Sequence, residues 1–283
     1  MTEASTPASE LDRVIGRLHD NAREFARAPL RSKLGWLGEM KQRLAEVAPE
    51  LVRESCLAKG LDPTSALSGE EWLGGPAVIM RCLRLLERSL QDVDRHGAPH
   101  IDPKQIQERD GGLSVEVVPA NGFEKALFPG VSCTVTLRGS FDRNRFTEDQ
   151  ARFYRQVDPE GAVTLVLGAG NVASIPPTDA LHKMFVEGQV CLLKMNPINA
   201  YLGPHLERVF APLIERGYFA VVQGGAEVGA YLCQHAGIDE VHITGSDKTH
   251  DEIVWGPPSA ERVERKRRGD PVLKKKITSE LGC

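Results

Sequence analysis

Five short stretches hold the residues whose types and spacing could do chemistry. "LGAGNVAS" sets Gly168, Gly170 and Ala173 directly after an apolar run, formally G-x-G-x-x-A, with Asn171 among them. After a strand, such a loop can seat a pyrophosphate on the N–H groups of the next helix. Its context opposes that use here. The following segment, "SIPPTDAL", carries two prolines that permit a helix only from about Pro177. The next strand end, "CLLKMNP", offers Lys194 where an acidic residue would grip ribose hydroxyls. An ammonium there can instead donate to those hydroxyls or attract a phosphate, or simply be solvated. Asn171 is either a neutral donor held at a strand end or a turn asparagine beside two glycines.

"GGAEVG" (Gly224, Gly225, Gly229) and "HITGS" (Thr244, Gly245, Ser246) follow two further apolar runs. Where Ser246 opens a helix, unpaired N–H groups and a positive dipole end face any anion, and Gly245 permits close approach. Ser246 as a plain N-cap is compatible with that role. His242, a lone histidine on an apolar strand, is expected to hydrogen-bond locally. Last comes "ITSELGC", in which the carboxylate Glu280 precedes the thiol Cys283 by three places. Residues three apart on a strand point to opposite faces, so Cys283 does not share the side of Glu280.

Totals bound what these groups can serve. With 283 residues the chain can bury a sizeable core, and a net charge of −4 gives no global attraction to nucleic acid or acidic membranes. The basic run "ERVERKRRGD" is interrupted by Glu261, Glu264 and Asp270 and has no interleaved aromatic, so it reads as a solvated helix or loop. Six scattered cysteines and eight dispersed histidines show neither CxxC pairs nor metal-ligand spacing, which implies reduced thiols and no metal. The N-terminus "MTEASTPASELDR" lacks a secretory pattern, and the apolar runs are too short to span a bilayer, so a soluble, cytoplasmic protein is expected.

The elements that must position these groups fall into two textures. Leu11, Val14, Ile15 and Leu18, after a Ser9 cap, predict a first amphipathic helix. Leu34, Leu37, Met40, Leu44 and Val47 predict a second. A capping box at Ser68–Glu71 predicts a third, running through Ile79, Leu83, Leu86 and Leu90. Beyond a turn at Gly111 and Gly112, "LSVEVVPA" and "CTVTL" read as strands of a hairpin or extended arm. Strands at Val163–Leu167, Val190–Lys194, Phe219–Val222, Glu240–Ile243 and Lys276–Leu281 then alternate with helices. The reading is an α/β protein with a doubly wound, mainly parallel nucleotide-binding sheet and an N-terminal helical layer. Its expected parts are a helical segment over 1–108, a β-rich arm and connection over 109–160, and a Rossmann-like domain over 161–283.

In this order and spacing, "LGAGNVASIPPTDAL", "EGQVCLLKMNP", "VHITGS" and "ITSELG" resemble the aldehyde dehydrogenase superfamily, over about Gly161 to Gly282. The resemblance implies a cofactor-binding domain, a catalytic domain and an oligomerisation arm, with NAD or NADP as cofactor, an aldehyde substrate and a homo-oligomer. It implies that Asn171, with a backbone N–H at the catalytic cysteine, stabilises the oxyanion of a thiohemiacetal, where charge develops only in the tetrahedral state. By the same resemblance Lys194 contacts the adenosine ribose, Ser246 the pyrophosphate, and Gly224, Gly225, Gly229, Thr244 and Gly245 line the cofactor. Glu280 would be the general base that directs water onto the thioester, which favours hydrolysis to a carboxylic acid over transfer to coenzyme A.

Two departures matter. The family often places a glutamate three residues after the lysine; Pro197 stands there, which leaves NAD against NADP open. Cys283 stands where the family has the second glycine of ELGG. Because the family's catalytic domain begins just after ELG and its nucleophilic cysteine lies beyond, the expectation is a cofactor-binding part without its nucleophile. A non-catalytic dinucleotide-binding module and an acyl-CoA-linked reductase are the alternatives.

Overall fold

The computed structural model describes residues 5–109, 112–137 and 143–282. Two compact units emerge, one holding the described residues up to Glu87 and from Val157 onward, the other Arg88–Gln156. Helix α1 (Ala8–Arg27) buries Leu11, Ile15, Leu18, Ala22 and Phe25, a stripe at helical spacing. Its N-cap is Pro7 rather than the expected Ser9, and no side chain caps it, because proline presets the turn and Ser9 already lies inside the helix. Helix α2 (Leu30–Ala58) buries Leu37, Met40, Leu44 and Val47 as the spacing predicts, while Leu34 is only half-buried.

The third predicted helix is broken in two. Helix α3 (Ser68–Trp72) gives way to a wide turn at Leu73–Ala77, where Gly75 adopts φ −121° and ψ −106°, before helix α4 (Val78–His96) resumes. Pro76 has no N–H to continue the ladder. The capping box does not form either. Leu67 is the N-cap, the Ser68 hydroxyl donates to the Ser65 carbonyl at 2.8 Å, and Glu71 instead accepts from Lys59 at 2.5 Å.

In the smaller unit, β1 (Ile106–Arg109), β2 (Gly112–Val118) and, beyond α5 (Gly122–Leu127), β3 (Cys133–Thr136) form an antiparallel sheet in the order β1-β2-β3. The β2–β3 pairing matches the predicted arm; β1 is an addition. Gly112 opens β2, and Gly111 lies outside the described residues. Helix α6 (Arg143–Asp149) follows β3 in the chain.

The larger unit is built on β4 (Val163–Leu167), α7 (Ile175–Phe185), β5 (Val190–Lys194), α8 (Gly203–Ile214), β6 (Phe219–Val222), α9 (Ala226–Gln234), β7 (Glu240–Gly245), α10 (Asp247–Trp255), α11 (Ala260–Arg268) and β8 (Lys276–Leu281). All five strands pair in parallel, in the order β6-β5-β4-β7-β8. Near-continuous apolar β4 and β5 are buried along their whole length, as a sheet covered on both faces requires. Helix α7 begins two residues earlier than the sequence predicts, since Pro176 and Pro177 occupy first-turn positions where no N–H is needed.

Helix α1 lies against β4, β5 and β6, and α2 against α8. Phe25 of α1 is the hub, fully buried, with ring centroids 5.2 Å from Tyr218, 6.0 Å from Trp36 and 6.2 Å from Phe185. Ahead of α1, Thr6 continues the pairing beside β6: its N–H donates to the Gln223 carbonyl at 3.1 Å, and its hydroxyl accepts from the Gln223 N–H at 3.1 Å.

Candidate dinucleotide site

The strand order reverses at β4, whose neighbours β5 and β7 diverge to opposite sides of the sheet. At such a switch point the carboxyl ends of the strands leave a crevice. Register sets Leu167 opposite both Lys194 and Ile243, so the exits of β4, β5 and β7 stand side by side. A cavity of about 620 Å³ opens there, between those exits and helices α9 and α10. Lys194, Gly225, Gly229, Thr244, Gly245 and Ser246 all line it.

Lys194 is 8% exposed and its ammonium donates no hydrogen bond among the described residues. Burial pushes it below the ordinary lysine range, while the carboxylate of Glu227 pulls the other way. The side-chain stem is buried while the ammonium is open to the cavity, where a hydroxyl or phosphate would supply an acceptor. Gly224 sits at φ +148°, and a Cβ there would meet the Val228 side chain at 2.4 Å, so only glycine fits this bend into α9. Gly224 itself does not line the cavity.

Ser246 caps α10, its hydroxyl accepting from the Thr249 N–H at 3.2 Å, while Asp247 accepts from the Lys248 N–H at 2.8 Å. An anion at this helix start therefore displaces the protein's own caps. Thr244 turns its hydroxyl away, donating to Asp179 of α7 at 2.8 Å. His242, 8% exposed, shares a 2.8 Å hydrogen bond with Thr278, the local role expected of it.

Of the glycine loop, Gly168 lines the cavity and Gly170 serves packing. A Cβ on Gly170 would fall 2.8 Å from the Asn196 side chain. The start of α7 is closed by the Gly74 carbonyl, which accepts from the Ser174 N–H at 3.1 Å. Pro176 and Pro177 supply no N–H to the first turn and the Ser174 N–H is already taken, so this helix end has few donors for a phosphate and the apparent dinucleotide fingerprint fails.

No protein-family profile matches this sequence, and no curated protein sequence matches it either. Solved structures do match. An aldehyde dehydrogenase C variant of Pseudomonas syringae, complexed with NAD+ and octanal, aligns at 15% identity and a TM-score of 0.56, over 99% of this chain and 44% of its own. An aldehyde dehydrogenase of Bartonella henselae aligns at 12% identity and a TM-score of 0.57, over 99% and 45%. A succinic semialdehyde dehydrogenase of Streptococcus pyogenes, in complex with NADP+, aligns at 14% identity and a TM-score of 0.56, over 100% and 48%. The fold is the one these aldehyde dehydrogenases share. This chain spans less than half the length of each.

Neither of the two expected catalytic residues is among those that line the cavity. Asn171 is exposed and lines a separate hollow of about 60 Å³ with Lys59, Asn199 and Tyr201. Glu280 pairs in register with Thr244 on edge strand β8 and is exposed, not partly buried as the sequence reading supposed. Thr244 lines the cavity, so the Glu280 backbone lies one strand spacing, about 5 Å, from its wall. Cys283 lies outside the described residues.

Sequence reasoning passed over several groups. Glu227, in the middle of "GGAEVG", accepts from the Gly225 N–H at 3.1 Å. Cys233, one turn beyond Gly229, lines the cavity at 2% exposure, and burial pushes its thiol up to about 11. Asn199 is 3% exposed; its amide donates to the Ala169 carbonyl at 2.9 Å, and its carbonyl oxygen has no partner. The basic run is α11, where Arg265 pairs with Glu261, Arg267 with Glu264 and Lys266 with Asp251. Among the described residues there is no cluster fit for a metal and no helix long and apolar enough to cross a membrane.

Proposed function

We propose that this chain is the cofactor-binding part of an NAD(P)-dependent aldehyde dehydrogenase that oxidises an aldehyde to a carboxylic acid. One observation carries the reading: a largely buried lysine, with no hydrogen-bond acceptor among the described residues, lines a cavity at the switch point of a doubly wound sheet. Such a position suits a nucleotide. The aldehyde dehydrogenase fold and the ordered motifs support the same assignment.

A dinucleotide fits the residues present. Lys194 donates to ribose hydroxyls, the glycines at the exits of β6 and β7 admit the backbone closely, and the start of α10 faces the pyrophosphate. A nicotinamide dinucleotide held by these residues would supply the hydride acceptor for the oxidation. Asn171 supplies a neutral donor for an oxyanion, and Glu280 takes a proton from the hydrolytic water. The nucleophilic thiol belongs to the part of the enzyme not represented in these residues. Self-association is proposed through the three-stranded sheet, whose β3 is exposed along its length.

A non-catalytic dinucleotide-binding module is the second reading, favoured by the exposed settings of Asn171 and Glu280. Titration calorimetry with NAD and NADP tests the first step. Binding that is lost in Lys194→Ala supports the site; no binding of either nucleotide at millimolar concentration overturns it. Aldehyde-dependent NAD(P)H formation by a chain extended through the catalytic half, abolished by Glu280→Gln, separates the enzyme from the module.

A further inference from the structure

We propose that Glu227 makes this site select a nucleotide whose ribose carries free hydroxyls, NAD, over one that carries a 2′-phosphate, NADP. The inference rests on the dinucleotide assignment above. After Lys194 the loop runs Met195, Asn196, Pro197 and offers no acid to a ribose. The structure brings one in from the exit of the neighbouring strand. Glu227 is the second residue of α9, and its Oε1 accepts from the Gly225 N–H at 3.1 Å. Its Oε2 lies only 2.6 Å from where a Cβ on Gly225 would stand, so the carboxylate is folded back over a residue that lines the cavity. Its charge and that of Lys194 act on one another.

An ammonium donates and a carboxylate accepts, and a vicinal diol does both, so the pair complements a free ribose. A phosphate presents only acceptors and negative charge. The backbone donors at the start of α9 that could have received it, those of Gly225 and Glu227, already serve the Glu227 carboxylate. Charge balance points the same way. Among the described residues lining the cavity, Lys194 is the one cation and Glu252 the one carboxylate, so Glu227 beside them makes two anions against one cation. A dianionic phosphate is repelled there, with no arginine to offset it.

Parallel calorimetric titrations of NAD and NADP into the wild-type chain, Glu227→Gln and Glu227→Ala test this. Glu227 is exposed, so both variants are expected to fold; Glu227→Gln keeps the acceptor toward Gly225 and removes only the charge. Wild type should favour NAD by about tenfold or more, and both variants should lower that ratio to near unity, chiefly by tightening NADP. Equal or tighter NADP binding by wild type, or a ratio unchanged in both variants while NAD still binds, overturns the selectivity alone. Failure of wild type to bind either nucleotide overturns the site assignment and the selectivity with it.

Discussion

Removing the Lys183 ammonium probes how the amino-terminal side of the sheet is held. Lys183 of α7 has a side chain 3% exposed and donates to Glu240 of β7 at 2.5 Å and to Glu187 at 2.8 Å. Glu240, 5% exposed, also accepts from Lys276 at 2.8 Å and Gln189 at 3.1 Å. Burial alone would raise its carboxyl, and the hydrogen bonds from Lys183, Lys276 and Gln189 outweigh it and hold the group low. Lys183→Met leaves Glu240 buried with one solvent-screened lysine and one neutral amide. Breaking a buried pair typically costs about 3–5 kcal/mol, and the surviving partners place this case near 3. For a unit of this size that is a loss of roughly 6–12 °C in melting temperature. Replacing both partners, Lys183→Met with Glu240→Met, removes the stranded charge, so the double variant should lie within about 1.5 kcal/mol of wild type. Urea unfolding followed by far-ultraviolet circular dichroism at pH 7 measures all four proteins. A cost below about 1 kcal/mol for Lys183→Met, or single costs that simply add in the double variant, would refute the reasoning.

Three further outcomes are expected. The hydrogen bond from His182, reinforced by Lys183 and Lys276, holds Glu187 at about 2 against an ordinary 4.5 and outweighs its burial. Its stabilisation, on the order of 2 kcal/mol after allowing for its partial exposure, is present above pH 4.5 and lost as pH falls toward 2; Glu187→Gln should flatten the stability curve over that window. Phe25→Ala opens a void under Trp36, Tyr218 and Phe185 and should cost about 3–5 kcal/mol in the same unfolding assay. Gly224→Ala meets both a positive φ and the Val228 side chain, so it should lower the melting temperature and weaken NAD in calorimetry, by about 1–3 kcal/mol in stability.

The parallel sheet was legible because β4 and β5 are near-continuous apolar runs and the turns between the strands carry glycine or proline. Periodicity located the strand exits, whereas the assignment of Lys194 and the exit glycines to a cofactor came from the resemblance. The break in the third helix was less legible, since the apolar spacing of Ile79, Leu83 and Leu90 continues on the far side of Gly75 and conceals the change of direction. Nor could spacing show that α1 would lie against the sheet, since an amphipathic stripe states that a face is buried and not what covers it. Glu227 escaped notice for a related reason. Its partner Lys194 lies on another strand exit, and such proximity exists only once the strand order β6-β5-β4 is known. Asn171 and Glu280 rested on resemblance, and that Glu280 would stand in register with cavity-lining Thr244 is something local sequence does not encode.

The pairing of Thr6 beside Gln223 places the chain's first described residues next to Gly224, where a Cβ would approach the Ser5 hydroxyl at 2.9 Å. At the opposite flank, the Gly282 N–H donates to the Gly245 carbonyl at 3.2 Å. Both ends of the described chain thus reach the same rim of the sheet, four strand spacings or about 20 Å apart. A donor and an acceptor dye attached at Ser5 and Gly282 would bracket the cavity within energy-transfer range without touching a residue that lines it. By the same logic, a purification tag at either end sits at the doorway and must be cleaved before any affinity is believed.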